Sequence, residues 1–84
     1  MIEVKYGLLD KVVFFNGATM KFEDGVVKDV RIIPTGIRKD EKGEDVLEGY
    51  EILYQLSSGV VLTSKEVFDS AEEGLKCYRE ALGL

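Results

Sequence analysis

Apolar residues come in adjacent pairs along most of this chain, and the pairs sit in short runs separated by turn residues. Asp10-Lys11-Val12-Val13-Phe14-Phe15 is β-branched and aromatic, and it stops at Asn16-Gly17. Asn-Gly ahead of another extended run predicts a hairpin, because both residues tolerate positive φ. Residues 18–22 then return as a strand, Glu23-Asp24-Gly25 supplies a turn, and residues 26–33 form the longest strand, closed by Pro34-Thr35-Gly36. Residues 37–48 are polar and acidic and read as a long hairpin loop. Residues 49–56 give another strand, Ser57-Ser58-Gly59 a turn, and residues 60–63 the antiparallel partner. Residues 2–6 fit a short first strand.

The period changes after Ser70. Ala71, Leu75, Tyr78 and Leu82 recur at spacings of four, three and four, which predicts a helix over 71–82. Ser70 suits its N-cap, with Glu73 placed to reach back to the Ser70 N–H. Glu72 and Glu73 lie where the helix dipole favours anions, and Arg79 lies near the end that favours cations. Gly83 stands where a helix commonly stops. Gly74 costs about 1 kcal/mol relative to alanine inside a helix, so another element is expected to pass close to it. With Cys77 and Ala81 it lines a small-residue edge beside the apolar stripe.

The run Gly25-Val26-Val27-Lys28-Asp29-Val30-Arg31-Ile32 breaks strict alternation. Period two would put Lys28 on a face with Val26, Val30 and Ile32. A bulge near Lys28-Asp29 instead places Val27, Val30 and Ile32 inside and turns both charges outward, so the bulge is the preferred reading. Adjacent strand residues point to opposite faces. If Val12, Phe14, Val30, Ile32, Ile52, Tyr54, Val60 and Leu62 fill the interior, then Val13, Phe15, Ile33, Leu53 and Val61 face outward. A twelve-residue helix is ~18 Å long and spans two or three strands at ~4.8 Å spacing. The terminal helix covers these five residues, with Leu75, Tyr78 and Leu82 as its contacts, or those it leaves open form a patch for a partner or a second copy, or they are scattered exposed apolar residues.

Gly25, Val27 and Val30 follow the first hairpin in a Gly-x-Val-x-x-Val order that resembles the KOW-type and related SH3-like barrels. The Phe68-x-Ser70-x-Glu72-Glu73 junction resembles the close of small uncharacterised bacterial and mobile-element proteins. Together the two resemblances cover roughly residues 10–33 and 50–82. They imply a small antiparallel SH3-like partly open barrel of about five strands, with one C-terminal helix packed on it. The leading glycine of the longer KOW motif has no counterpart, so no functional residue carries over.

Length and composition fit one domain over residues 1–84, with the barrel at about 2–68. Eighty-four residues with 45% apolar content and one proline suit an ordinary globular chain. No apolar run approaches the ~18 residues of a membrane span. Residues 1–5 lack the features of a signal peptide, and one cysteine rules out an internal disulfide framework; the expected location is the cytoplasm. The net charge of −5 divides unevenly, +2 over residues 1–39 and −7 over residues 40–84. Nucleic acid binding, through Lys11, Lys21, Lys28, Arg31, Arg38 and Lys39, is the alternative to a protein partner, and the acidic half opposes it.

Catalytic chemistry finds few materials. The chain has no histidine, which removes the usual general base and the commonest metal ligand. Cys77 lies among apolar helix neighbours with no base to activate it. The window 40–51 begins with Asp and ends with Glu, as a calcium loop does. Lys42, Glu44 and Asp45 occupy its third, fifth and sixth positions, where two oxygen ligands and a glycine are needed, and a strand follows instead of a helix. Asp40, Glu41, Glu44, Asp45 and Glu48 read as a solvated acidic tip, open to a basic partner or to weak divalent-ion binding. Tyr6, Tyr50, Tyr54 and Tyr78 offer the aromatic walls of a peptide groove, or serve as core. The expectation is a non-enzymatic interaction module without cofactor, catalytic residue or metal ligand, its partner surface at Val13, Phe15, Ile33, Leu53 and Val61.

Overall fold

Four strands and a helix follow one another in the computed structural model, which describes residues 3–83: β1 (Lys11–Asn16), β2 (Lys21–Lys39), β3 (Asp45–Leu56), β4 (Val61–Thr63) and α1 (Ala71–Leu82). The strands pair antiparallel in the order β1-β2-β3-β4. The chain is therefore mainly β with a C-terminal helix, but the sheet is open and has four strands, where a five-stranded partly open barrel was expected.

Of the six strand segments outlined by the sequence pattern, two are lost, one to fusion and one at the N-terminal segment. The expected strands at 18–22 and 26–33 are parts of one 19-residue strand, β2, because Glu23-Asp24-Gly25 does not turn. It pairs straight through with β1, Phe14 opposite Glu23 and Val12 opposite Gly25. Gly25 is needed there for close approach, since a Cβ would lie 2.5 Å from Leu56 Cδ1. Residues 3–6 join no strand, and Ile2 lies outside the described residues. After β4 the chain returns to the far side of β1, where Val13 and Phe68 exchange two backbone hydrogen bonds of 2.8 Å without closing the sheet.

A straight strand of 19 residues would run ~60 Å, longer than the molecule's 50 Å longest dimension, so β2 has to bend. It does so at three register shifts, between Val27 and Asp29, between Pro34 and Gly36, and between Gly36 and Ile37, the last leaving Glu48 of β3 as an extra residue. The first is the expected bulge. Lys28 points to solvent, Val27 is fully buried and Val30 packs against the core. Ile32, placed inside by the same reading, is 44% exposed, because β1 has ended and no other described strand lies beside that length of β2 on its far side from β3.

The turns differ from the pattern in the same spirit. The first hairpin closes through a four-residue loop, Asn16 pairing with Lys21, and the positive φ falls on Met20. Asn16 shapes the loop with its side chain, whose Oδ1 accepts from the Ala18 N–H at 2.9 Å. The expected long loop at 37–48 is mostly strand; only Asp40–Glu44 turns. The carboxylate of Asp40 accepts the N–H groups of Lys42 and Glu44, both at 2.9 Å, and Gly43 supplies positive φ.

Apolar side chains gather on both faces of the sheet's body. On one, Tyr6, Val12, Phe14, Val27, Ile52, Tyr54, Leu56, Leu62 and Val67 form the core. On the other, α1 rests on an aromatic cluster. Tyr78 stacks on Phe22 at 5.9 Å and meets Phe15 and Phe68 edge-on at 5.7 and 5.8 Å. Of the three expected contacts, only Tyr78 docks. Leu75 and Leu82 are 46% and 73% exposed, whereas Gly74 is buried. A Cβ on Gly74 would stand 2.5 Å from Phe22 and 2.9 Å from Phe68, so the helix makes its closest approach there and turns the two leucines away. Ser70 caps as expected, its hydroxyl accepting the Glu73 N–H at 3.2 Å. The Glu73 carboxylate reaches the Asp69 N–H, one residue before the anticipated donor. Gly83 ends the helix in the left-handed region.

Candidate functional site

Beyond the end of β4, β2 and β3 continue together as a two-stranded arm. Residues 33–39 pair with residues 45–51, and no side chain from 33 to 51 is buried. The arm extends the molecule. Its radius of gyration is 15.6 Å, against the ~12 Å expected of a compact domain this size. Ile33, Ile37, Leu47 and Tyr50 stand exposed along it, with Ile32 at its base. Ile37 lies directly opposite Leu47, so the two share a face.

Charge is divided between the two strands. Residues 31–39 of β2 carry Arg31, Arg38 and Lys39 and no acid, whereas β3 carries Asp45, Glu48 and Glu51 and no base. Lys39 bridges to Asp45 at 3.1 Å and Arg31 to Asp29 at 3.1 Å. Among the described residues Glu48 and Glu51 form no salt bridge.

A cleft of about 360 Å³ opens where the arm leaves the body. Tyr6, Tyr50, Ile52 and Tyr54 supply its apolar walls, and Lys5 and Lys65 stand at its margin. The tyrosines considered as groove walls are thus divided: three meet here, while Tyr78 belongs to the helix cluster on the opposite face. Tyr6 packs edge-on against Tyr54 at 5.7 Å, and its hydroxyl donates to Asp69 at 2.6 Å. Burial of the phenol, reinforced by the Asp69 carboxylate, pushes the Tyr6 pKa up to about 12. The same hydrogen bond, helped by the nearby Lys5 ammonium, holds Asp69 below the usual carboxylate range. Lys5 lies 3.5 Å from Asp69 and 3.8 Å from Glu73, with all three side chains largely exposed, so these ion pairs add little.

The five residues expected to form a partner surface are not kept together. Val13 and Phe15 are half-buried, Val13 beside Phe68 and Phe15 under Tyr78. Ile33 and Val61 are exposed, and Leu53 is half-buried beside Arg31, Gln55 and Val61 in a shallow groove of about 170 Å³. Of the four strands the helix contacts only β1 and β2, so it does not cover Leu53 or Val61. Ile37, Leu47 and Tyr50 were absent from that expectation, although Ile37 and Val46-Leu47 flanking an Asp-x-x-Gly turn are the sequence signal of a hairpin.

Among the described residues no group of His, Cys, Asp or Glu side chains is arranged to hold a metal ion, and no helix is long and apolar enough to cross a membrane. Cys77 is exposed on the helix rather than buried among apolar neighbours. No family model, no curated protein and no solved structure matches this chain.

Proposed function

We propose that this chain is a small non-enzymatic protein–protein interaction module that engages its partner through the β2–β3 arm. The observation that carries the reading is the arm itself. An isolated two-stranded ribbon is marginally stable, yet this one extends past the packed body with Ile33, Ile37, Leu47 and Tyr50 in solvent. Apolar groups concentrated on a projecting element mark contact surfaces. The basic residues Arg31, Arg38 and Lys39 run beside the acids of β3 at the ~4.8 Å spacing of paired strands, which lowers the potential a phosphate backbone would meet.

The test is a photo-crosslinking residue in place of Ile37, with the same residue in place of the exposed Ala18 at the far end of the body as control. Irradiation of producing cells is expected to yield discrete protein adducts from position 37 and none from position 18. Equal adducts from both positions, or none from 37, would overturn the reading. An adduct of twice the chain's mass would identify a second copy as the partner.

A further inference from the structure

The two long edges of the arm are not equivalent. Backbone groups in an antiparallel pair alternate between facing the partner strand and facing away. In β3, the Leu56 N–H donates to Val60 and the Ile52 carbonyl accepts from Ser64, so even-numbered residues face β4. The same alternation aims the N–H and C=O of Tyr50 past the end of β4, where no strand among the described residues lies beside them. On β2 the outward-facing positions after the bulge are Val30, Ile32 and Pro34, each opposite an outward-facing residue of β3. Pro34 has no N–H, and a proline at an outward position blunts an edge against further pairing. Pro34 therefore interrupts the β2 edge, whereas the β3 edge carries no proline.

Resting on the interaction-module reading, we propose that residues 45–51 of β3 are a strand-addition site for an extended partner segment bearing Lys or Arg, with one apolar or aromatic side chain seated in the Tyr6–Tyr50–Tyr54 cleft. The added strand continues the line of β4 antiparallel to β3 and begins at the cleft, whose wall includes Tyr50 itself. Seven residues offer ~23 Å of edge, with an irregularity at Glu48 where the register with β2 shifts, so the added strand pairs in two short stretches on either side of it. Charge selects the occupant. Asp45, Glu48 and Glu51 lie along this edge with no base on the strand. A second copy paired edge-to-edge about a twofold axis would set these acids against their own counterparts, and like charges across a strand pair are unfavourable. A strand alternating Lys or Arg with apolar residues meets complementary charge and satisfies the outward amide of Tyr50. Strand addition gives affinity through main-chain bonds and selectivity through side-chain pockets, and both parts are present here.

The test uses the full chain, isotope-labelled for NMR, with two heptapeptide probes, one alternating Lys with Val and one alternating Glu with Val. The Lys–Val peptide is expected to shift amides across 45–51 and at Ser64 and Lys65. It should also slow exchange of the Tyr50 amide at least tenfold, and bind at least tenfold tighter than the Glu–Val peptide. Glu48→Lys with Glu51→Lys should invert that preference without unfolding the body, since both side chains are on the solvated arm. Equal binding of the two peptides, shifts confined to β2 or to the Leu53–Val61 groove, or no shifts at all would overturn the site. Crosslinks from position 37 with no shifts at 45–51 would overturn the edge and leave the module standing. Shifts at 45–51 with no crosslinks from position 37 would support the edge and overturn contact through the arm's apolar face.

Discussion

The same two strands pass through two different environments. In the body, β3 alternates buried Ile52, Tyr54 and Leu56 with half-buried Leu53 and Gln55, because β4, the N-terminal segment and the returning chain cover one face. In the arm, residues 45–51 of that strand bury nothing, although Val46, Leu47 and Tyr50 are no less apolar. Strand formation therefore does not need burial residue by residue. The body anchors the register, and pairing propagates from it into a ribbon that is not stable alone. Stability is expected to reside in one region and recognition in the other, and substitutions can separate them.

The largest effect is expected at Leu56, which is fully buried and sits against Gly25 where β2 crosses the core. Leu56→Ala should lower unfolding free energy by ~2–5 kcal/mol through lost burial and the cavity left behind. It should appear as a fall in urea midpoint with an unchanged slope. A loss comparable to that of an arm substitution would erase the distinction between the two regions.

Gly74 comes next and tests whether the helix belongs to the body. Alanine gains about 1 kcal/mol of helix propensity, but the new methyl meets the Phe22 and Phe68 rings, and overpacking of this kind costs ~1–3 kcal/mol. Gly74→Ala is expected to be net destabilising and to weaken the near-ultraviolet circular dichroism of the Phe15–Phe22–Phe68–Tyr78 cluster. Stabilisation with unchanged dichroism would mean that the helix rests on the sheet without fastening to it.

Tyr6 marks the boundary, since its ring is core and its hydroxyl ties the N-terminal segment to Asp69 at the helix entrance. Tyr6→Phe should cost ~0.5–1.5 kcal/mol, the net worth of one hydrogen bond. The pH dependence has a definite sign. Folding raises the Tyr6 pKa from 10.0 to about 12, so its contribution is whole below pH 10.0 and fades as pH rises through about 12. Folding lowers the Asp69 pKa from 3.8, so its contribution is whole above that value and fades as pH falls through the lower folded one. Denaturation midpoints against pH should show the alkaline limb vanish and the acid limb shrink in Tyr6→Phe.

Much of the body was legible in the pattern. The bulge at Lys28 followed from the cost of burying a charge, and the helix bounds followed from Ser70 and Gly83. The misread turns share one cause. Glu23-Asp24-Gly25, Pro34-Thr35-Gly36 and residues 37–48 carry turn composition, yet all but Asp40–Glu44 are strand, because pairing with a neighbouring strand outweighs local preference. Gly25 looked like a turn glycine and is a close-approach glycine, a difference only its distance to Leu56 reveals. The same error concealed the site, since a stretch taken for loop offers no face on which Ile37 and Leu47 could be set together. Leu75 and Leu82 misled for a related reason. An apolar stripe gives a helix's preferred face, but the small residue that permits closest approach decides how it docks.

The smallest effect is expected at the arm, and it sharpens the comparison most. Ile37 is 62% exposed, and Leu47 lies opposite it on a ribbon that no other described element covers. Replacing each by threonine keeps β-propensity while removing apolar surface, and surface changes of this kind stay within about 0.5 kcal/mol each. The urea midpoint of Ile37→Thr/Leu47→Thr should therefore barely move. Native-state hydrogen exchange should show arm amides opening in local fluctuations, while amides of Val27, Tyr54 and Leu56 exchange only through global unfolding. A residue that contributes little to folding is free to be chosen for contact, so the same double variant should abolish partner crosslinking from a probe placed at Tyr50. A loss of ~2 kcal/mol or more, or arm amides as protected as those of the core, would place the arm inside the cooperative unit. Its apolar residues would then have a structural task, and their exposure would no longer argue for a partner.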